Sequence, residues 1–286
     1  RIFLVNEDLY ESNLDFENID YCINPKNIDI IENNVIRKIV QITYEINNSI
    51  IQQQITLYEN LPYVFLNYRI FTKEKYNYFG IKFDLEINDS VSISGLPFYY
   101  KTSKNNSMFD NGKNFVLLNN TKNGLLFLSG NDFLYSINGN SLYILYNPLV
   151  FNDNNEFSLV FSSIERHDLT TSIKSCFELF FPPITIITDQ HTGKYGIKKS
   201  FIQTSNNIII SALKQSEDST GMVMRFFDIT GKKSDVTINN FVNSKYYYLI
   251  NSIENKISSK KQLPNKLLLK LKPNEIKSVL FEYNLK

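Results

Sequence analysis

Over residues 79–87 the chain alternates without a break: Phe79, Ile81, Phe83, Leu85 and Ile87 are apolar, and Gly80, Lys82, Asp84 and Glu86 stand between them. Successive side chains of a β-strand point to opposite faces, so a period of two puts one residue class against a core and leaves the other to solvent. The pattern has precedents upstream. Val40, Ile42, Tyr44 and Ile46 alternate with Gln41, Thr43 and Glu45, and Ile51, Gln53, Ile55 and Leu57 alternate with the amide-rich set Gln52, Gln54 and Thr56. With residues 63–71, these stretches predict four consecutive strands joined by short polar connections, an antiparallel meander with one packed and one solvated face. Residues 1–34 are weakly patterned and accommodate an edge strand plus loops.

Further short strands are expected at 115–118, 125–128, 142–146 and 157–161, with turns at 119–124 and at Asn138-Gly139-Asn140. Helical spacing occurs only over 168–180, where Ile173, Phe177 and Phe180 lie near i, i+4, i+7, with Asp168 as an N-cap and Pro182-Pro183 beyond the end. The rhythm breaks over 90–114. A connection of that length in a compact domain is functional or disordered. Its aromatic triplet Phe98-Tyr99-Tyr100 is suited to stacking on a sugar; the alternative is that the rings tuck under the loop.

Residues 207–231 hold two apolar runs, 208–213 and 222–229, separated by a polar segment that closes on Gly221 and followed by Thr230-Gly231. That is a β-hairpin, with Met222, Met224 and Phe226 on one face and Val223, Arg225 and Phe227 on the other. Strands follow at 236–238, 246–250, 267–271 and 279–283, a spacing that argues a small β-sandwich. The proline pair and residues 188–193 mark a boundary, giving domains 1–190 and 191–286. The fold class is all-β.

Core size does not limit such a chain: 43% of its 286 residues are hydrophobic, among them 22 Phe and 18 Tyr. Cys22 and Cys176 are too few for a disulfide framework and wrongly spaced for zinc, and both are expected to be unpaired. A net charge of +1 with scattered basic residues implies neither nucleic acid nor an anionic membrane. No apolar stretch approaches the ~20 residues needed to span a bilayer, so a soluble chain is expected. Its start, Arg1-Ile-Phe-Leu-Val, lacks Met and is too short an apolar run for a signal peptide; it reads as a mature chain or an excised fragment. No compartment is indicated.

Chemistry-bearing constellations are sparse. His167 and His191 are the only histidines and do not form an H-x-x-x-H pair, so a zinc site within this chain is not expected. Arg166-His167-Asp168 is either an oriented acid-base unit or, with Asp168 as the helix cap, a purely structural entry; adjacent residues rarely face each other, which favours the cap. Glu217-Asp218 is the most conspicuous carboxylate pair, and glycosidases do use paired carboxylates. At a hairpin tip, however, neighbouring side chains diverge and stay solvated. No catalytic and no metal-binding residues are assigned.

Several stretches, taken in order, resemble the C-terminal β-domains of glycoside hydrolase family 38, the α-mannosidases. Ile55-Thr-Leu-Tyr-Glu-Asn-Leu-Pro-Tyr-Val-Phe-Leu-Asn-Tyr-Arg69 is similar to that family's "ITLY" strand pair, and Gly124-Leu-Leu-Phe-Leu-Ser129 to its "GLALL" strand. Ser163-Ile-Glu-Arg-His-Asp168 takes the place of its "PHRGDW" segment, without the Pro and the Trp. Residues 209–228 resemble "VVLSALKKAEDGDGLVLRLYE" nearly position by position, and 269–281 resemble the closing "L-x-P-x-E-I-x-T" strand. The resemblance implies a galactose-mutarotase-like antiparallel supersandwich followed by a small immunoglobulin-like β-sandwich. It implies a non-catalytic portion of an α-mannosidase-like hydrolase that braces a (β/α) barrel, the barrel supplying zinc and the aspartate nucleophile, in cis or as a separate subunit. A mannose-containing glycan is the implied ligand, with Phe98, Tyr99, Tyr100, His167 and Asp168 as possible contacts. An autonomous carbohydrate-binding module and a supersandwich sugar epimerase using His167 or His191 are the alternatives.

Overall fold

The computed structural model describes residues 1–5, 19, 21, 24–46, 48–72, 76, 78–85, 91–104, 109–119, 124–147, 155–164, 169–190, 192–193, 199–239 and 244–283. The chain divides into two compact units, Arg1–Phe181 and Pro182–Lys286. Among the described residues there is one helix, and it is not long and apolar enough to cross a membrane.

The first unit contains strands β1 (Ile2–Val5), β2 (Asn27–Asn33), β3 (Arg37–Ile46), β4 (Ser49–Tyr58), β5 (Val64–Phe71), β6 (Tyr78–Asp84), β7 (Val91–Leu96) and β8 (Tyr99–Lys104). It continues with β9 (Asp110–Gly112), β10 (Phe115–Asn119), β11 (Gly124–Ser129), β12 (Phe133–Asn138), β13 (Ser141–Tyr146), β14 (Asn155–Ile164) and helix α1 (Leu169–Phe180). All pairings are antiparallel and form two sheets, a five-stranded one in the order β1-β6-β13-β12-β9 and a nine-stranded one in the order β2-β3-β4-β5-β14-β11-β10-β7-β8. One core lies between them. Phe79, Ile81, Tyr135, Ile144 and Tyr146 from the smaller sheet meet Ile51, Leu66, Tyr68, Phe127, Phe157 and Leu159 from the larger. This is the antiparallel sandwich that the alternation requires.

The expected four-strand meander stops at three. β3, β4 and β5 pair in sequence, but β6 crosses to the other sheet and lies between β1 and β13. Alternation says which face is buried and is silent on which neighbour supplies the hydrogen bonds. Nor is the second face of β6 solvated: Tyr78 packs with Phe3, Val5, Tyr143 and Leu145, and Gly80 abuts the Phe3 ring. The 90–114 stretch, expected to be one long loop, instead holds β7, β8 and β9. Its serines, threonine and lysines form polar strands in which the apolar signal is diluted. Strand β12 also escaped the pattern.

The nine-stranded sheet is wider than its partner, and the excess is apolar. Ile30, Val40, Ile55 and Leu66 are paired partners in a row across β2, β3, β4 and β5. Directly opposed residues share a face. Along this row exposure falls from 73% at Ile30, through half-buried Val40 and Ile55, to 4% at Leu66. The neighbouring row, Ile28, Ile42, Gln53 and Tyr68, runs from exposed to buried in the same way. On the opposite face α1 covers part of the sheet: Tyr63 Oη donates to Ser175 Oγ at 3.1 Å, the Cys176 thiol to the Asn114 carbonyl at 3.4 Å, and Leu117, Leu126 and Leu128 are buried. The helix ends before Pro182, as expected, while its proposed cap Asp168 lies outside the described residues.

The second unit contains β15 (Gln203–Thr204), β16 (Ile208–Gln215), β17 (Gly221–Asp228), β18 (Ser234–Asn239), β19 (Ser244–Ile250), β20 (Lys261–Gln262), β21 (Lys266–Leu271) and β22 (Ile276–Tyr283). A three-stranded sheet, β15-β18-β21, and a five-stranded one, β16-β17-β22-β19-β20, share a core built on Met224, Phe226, Val236, Leu267, Val279 and Phe281. The β16–β17 hairpin is the predicted one, with a bulge between Ile210 and Ala212. Its mixed face is as the sequence indicated: the Arg225 guanidinium donates to Ser278 Oγ at 3.0 Å and to the Ser252 carbonyl at 2.9 Å.

Candidate functional site

Of the five residues singled out as sugar contacts, Phe98, Tyr99 and Tyr100 are described; His167 and Asp168 lie outside the described residues, as do His191 and Cys22. The aromatic triplet sits at the tip of the β7–β8 hairpin, where Leu96 pairs with Tyr99 and Gly95 with Tyr100 across a Pro97-Phe98 turn. Phe98 has φ 62°. Proline followed by a residue with positive φ is the type II pattern, and that second place is usually taken by Gly or Asn because a Cβ is crowded there. A strained aromatic residue that is also 44% exposed is an outlier in need of a reason. Tyr99 is 48% exposed, and its ring stacks on Tyr100 with centroids 5.3 Å apart and planes at 19°. Phe98 and Tyr99 are therefore not tucked under a loop.

The hairpin is held close to its tip. Lys113 N donates to the Gly95 carbonyl at 2.9 Å, and a Cβ on Gly95 would come within 2.1 Å of the Lys113 carbonyl oxygen, so only glycine permits this approach. Lys101 Nζ reaches Asp110 at 2.6 Å, and this hydrogen bond raises the Lys101 ammonium above its ordinary pKa. Beside the turn opens a cleft of about 310 Å³ whose walls include Leu96, Pro97 and Phe133, with Asn111, Lys113 and Asp132 at its polar edge. Lys113 and Asp132 pair at 3.4 Å. Apolar walls next to hydrogen-bonding groups suit a polyhydroxylated ring, whose C–H face is apolar and whose rim is polar; Phe98, Tyr99 and Tyr100 are not among the residues that line this cleft. Lys113 and Asp132 escaped sequence reading because their pairing joins two connections that only the fold brings together.

The Glu217-Asp218 pair is a turn device. Ser216 Oγ donates to Asp218 at 2.7 Å, and Thr220 donates through its hydroxyl at 2.8 Å and its amide at 3.1 Å. These hydrogen bonds, that of Ser216 first, pull the Asp218 carboxyl down to about 2, the opposite of what a general acid needs. Glu217 is exposed and pairs with Lys214, which also binds Glu254 at 2.7 Å. Cys176 is a free, buried thiol, pushed up to about 12 by desolvation and so inert as a nucleophile. Among the described residues no three His, Cys, Asp or Glu side chains come together in a way that could hold a metal ion.

Residues 207–279 match the family described as "Glycosyl hydrolases family 38 C-terminal beta sandwich domain", and they fall wholly within the second unit. No curated protein matches the chain in sequence. Among solved structures, an alpha-mannosidase from Enterococcus faecalis V583 is similar in fold over 90% of this chain and 35% of its own, with 13% identity and a TM-score of 0.71. A protein in the Glycosyl Hydrolase Family 38 from Enterococcus faecalis is similar over 90% of this chain and 36% of its own, with 14% identity and a TM-score of 0.70. The chain thus spans about a third of the length of the structures it resembles.

Proposed function

We propose that this chain, whose fold resembles the C-terminal β-domains of family 38 α-mannosidases, is a non-catalytic portion of an α-mannosidase-like glycoside hydrolase. It braces the catalytic barrel and shapes the rim of the carbohydrate cleft. The observation that carries this reading is the overhang of the nine-stranded sheet. An apolar face at Ile28, Ile30 and the row behind them continues the core beyond the smaller sheet, and an exposed apolar patch of this kind marks an interaction surface. The occupant that fits is the barrel-bearing polypeptide, since about two-thirds of each of the two Enterococcus faecalis structures has no counterpart in this chain. The zinc implied by the family would be held by the barrel.

The test has two arms. The isolated chain, supplied with zinc, is expected to leave a chromogenic α-mannoside intact, and turnover would overturn the reading. Mixed with an α-mannosidase barrel polypeptide it is expected to co-elute, and an Ile28→Lys, Ile30→Lys variant is expected to elute alone. A second reading, a carbohydrate-binding module in its own right, is favoured by the exposed Phe98 and Tyr99 at the hairpin tip. Retention of glycan binding in a Tyr99→Ala, Tyr100→Ala variant would remove it.

A further inference from the structure

The uncovered part of the outer face of the nine-stranded sheet has a different character. There the paired positions of β3, β4, β5 and β14 line up Gln41, Gln54, Asn67 and Ser158 in one row, and Gln52, Arg69 and Glu156 in the next. With strands ~4.8 Å apart and alternate residues ~6.8 Å apart, the array covers roughly 14 Å by 7 Å, about the footprint of a disaccharide. A shallow depression of about 130 Å³ lies over it.

The array is built as well as polar. Gln54 Nε2 donates to Gln41 Oε1 at 3.0 Å, Ser158 Oγ to Asn67 Oδ1 at 2.8 Å, and Arg69 Nε to Glu156 Oε1 at 2.7 Å. Each contact fixes one side chain against another and leaves capacity over. Among the described residues Gln52 makes no side-chain hydrogen bond, Asn67 keeps its amide nitrogen, and Arg69 keeps both terminal nitrogens. Side chains already held in place lose less entropy when a ligand arrives. The outer face of β5 reads Phe65, Asn67, Arg69, Phe71, so an aromatic ring closes each end, and Phe71 is 44% exposed.

The composition identifies the ligand class. A face kept merely soluble is served by lysine and glutamate, whereas within these seven residues the only charges are one opposed pair, Arg69 and Glu156, which cancel and select neither anion nor cation. Asp29 continues the first row opposite Gln41, and Glu45, paired with Lys26, stands in the row beyond the second. Planar amides, a guanidinium and a carboxylate in fixed register offer donors and acceptors in pairs, which is what neighbouring hydroxyls, each both donor and acceptor, require. We infer that this sheet face is a binding surface for a neutral oligosaccharide, separate from the hairpin tip and independent of the relation to mannosidases.

The test is a heteronuclear NMR titration of the full 286-residue chain with an α-linked mannobiose and with cellobiose, read at the side-chain amides of Gln41, Gln52, Gln54 and Asn67. Saturable shifts with at least one disaccharide are expected. Gln54→Ala and Arg69→Ala are expected to weaken binding about tenfold, the loss of one good hydrogen bond, while Ile253→Ala, at an exposed position of the second unit, leaves it unchanged. Arg69→Lys keeps the ion pair and the fold but not the planar fork, and is expected to weaken binding as well. Absence of shifts with both sugars, equal binding by Arg69→Lys, or loss in Ile253→Ala would each overturn the proposal.

Discussion

Gly80 stands directly against Phe3: a Cβ on Gly80 would lie 2.1 Å from the tip of that ring. The ring cannot retreat, because Phe3 is fully buried, packed edge-on to Tyr21 at 5.4 Å and to Tyr143 at 6.4 Å. Gly80→Ala is therefore expected to destabilise the first unit by about 1–3 kcal/mol through overpacking. Urea unfolding checks it. A double-mutant cycle with Phe3→Leu is expected to show coupling, since the smaller side chain returns the space.

At the hairpin tip, stability and binding should move in opposite directions. Phe98→Gly relieves a positive φ of 62° and is expected to stabilise the turn by about 1 kcal/mol. The same change removes an exposed ring and is expected to weaken any glycan contact there. Thermal unfolding measured beside glycan affinity separates the two effects; a variant that loses stability would show that the Phe98 ring is structural.

Asp218 gives a pH signature. Its carboxyl is pulled from 3.8 to about 2 by donors from Ser216 and Thr220. A depressed folded value means that the stabilisation is fully present above 3.8 and is lost as the pH falls towards about 2. Asp218→Asn is expected to lower the melting temperature of the second unit near neutral pH, with the gap to the parent chain closing only in that acid window. A gap that stays constant down to the lowest pH would sink this account.

The overhang predicts a surface that can be altered without harm to the fold. Ile30→Lys changes a residue 73% exposed and is expected to shift stability by no more than about 0.5 kcal/mol, while abolishing association with a barrel polypeptide. Calorimetry of the isolated chain and size-exclusion chromatography of the mixture give the two readings.

How far the sequence could be read depended on how local each feature was. The β16–β17 hairpin was visible because both strands and the closing turn lie within residues 207–231 and alternate strongly. β3, β4 and β5 were visible for the same reason. The crossing of β6 to the other sheet was not, since Phe79 and Ile81 alternate equally well in either position and only the partners Leu4, Ile2 and Ile144 distinguish them. Strands β7 and β8 were hidden by polar residues, although Phe98, Tyr99 and Tyr100 stood out by type. The Gln52-Arg69-Glu156 row was half legible: the glutamines were conspicuous, but Glu156 reaches Arg69 only because β14 returns to pair with β5.

Those return pairings carry a cost in time. Ile2 in β1 pairs with Ile81, and the far edge of β5 waits for Asn155 to come opposite Ile70. During synthesis at about 5–20 residues per second, β1 is without its partner for several seconds, and the nascent meander keeps an open edge for longer still. The first unit closes only after β14 has been made, so its apolar strands are held on the ribosome as unfinished sheets while the second unit, with shorter loops between partners, has yet to appear.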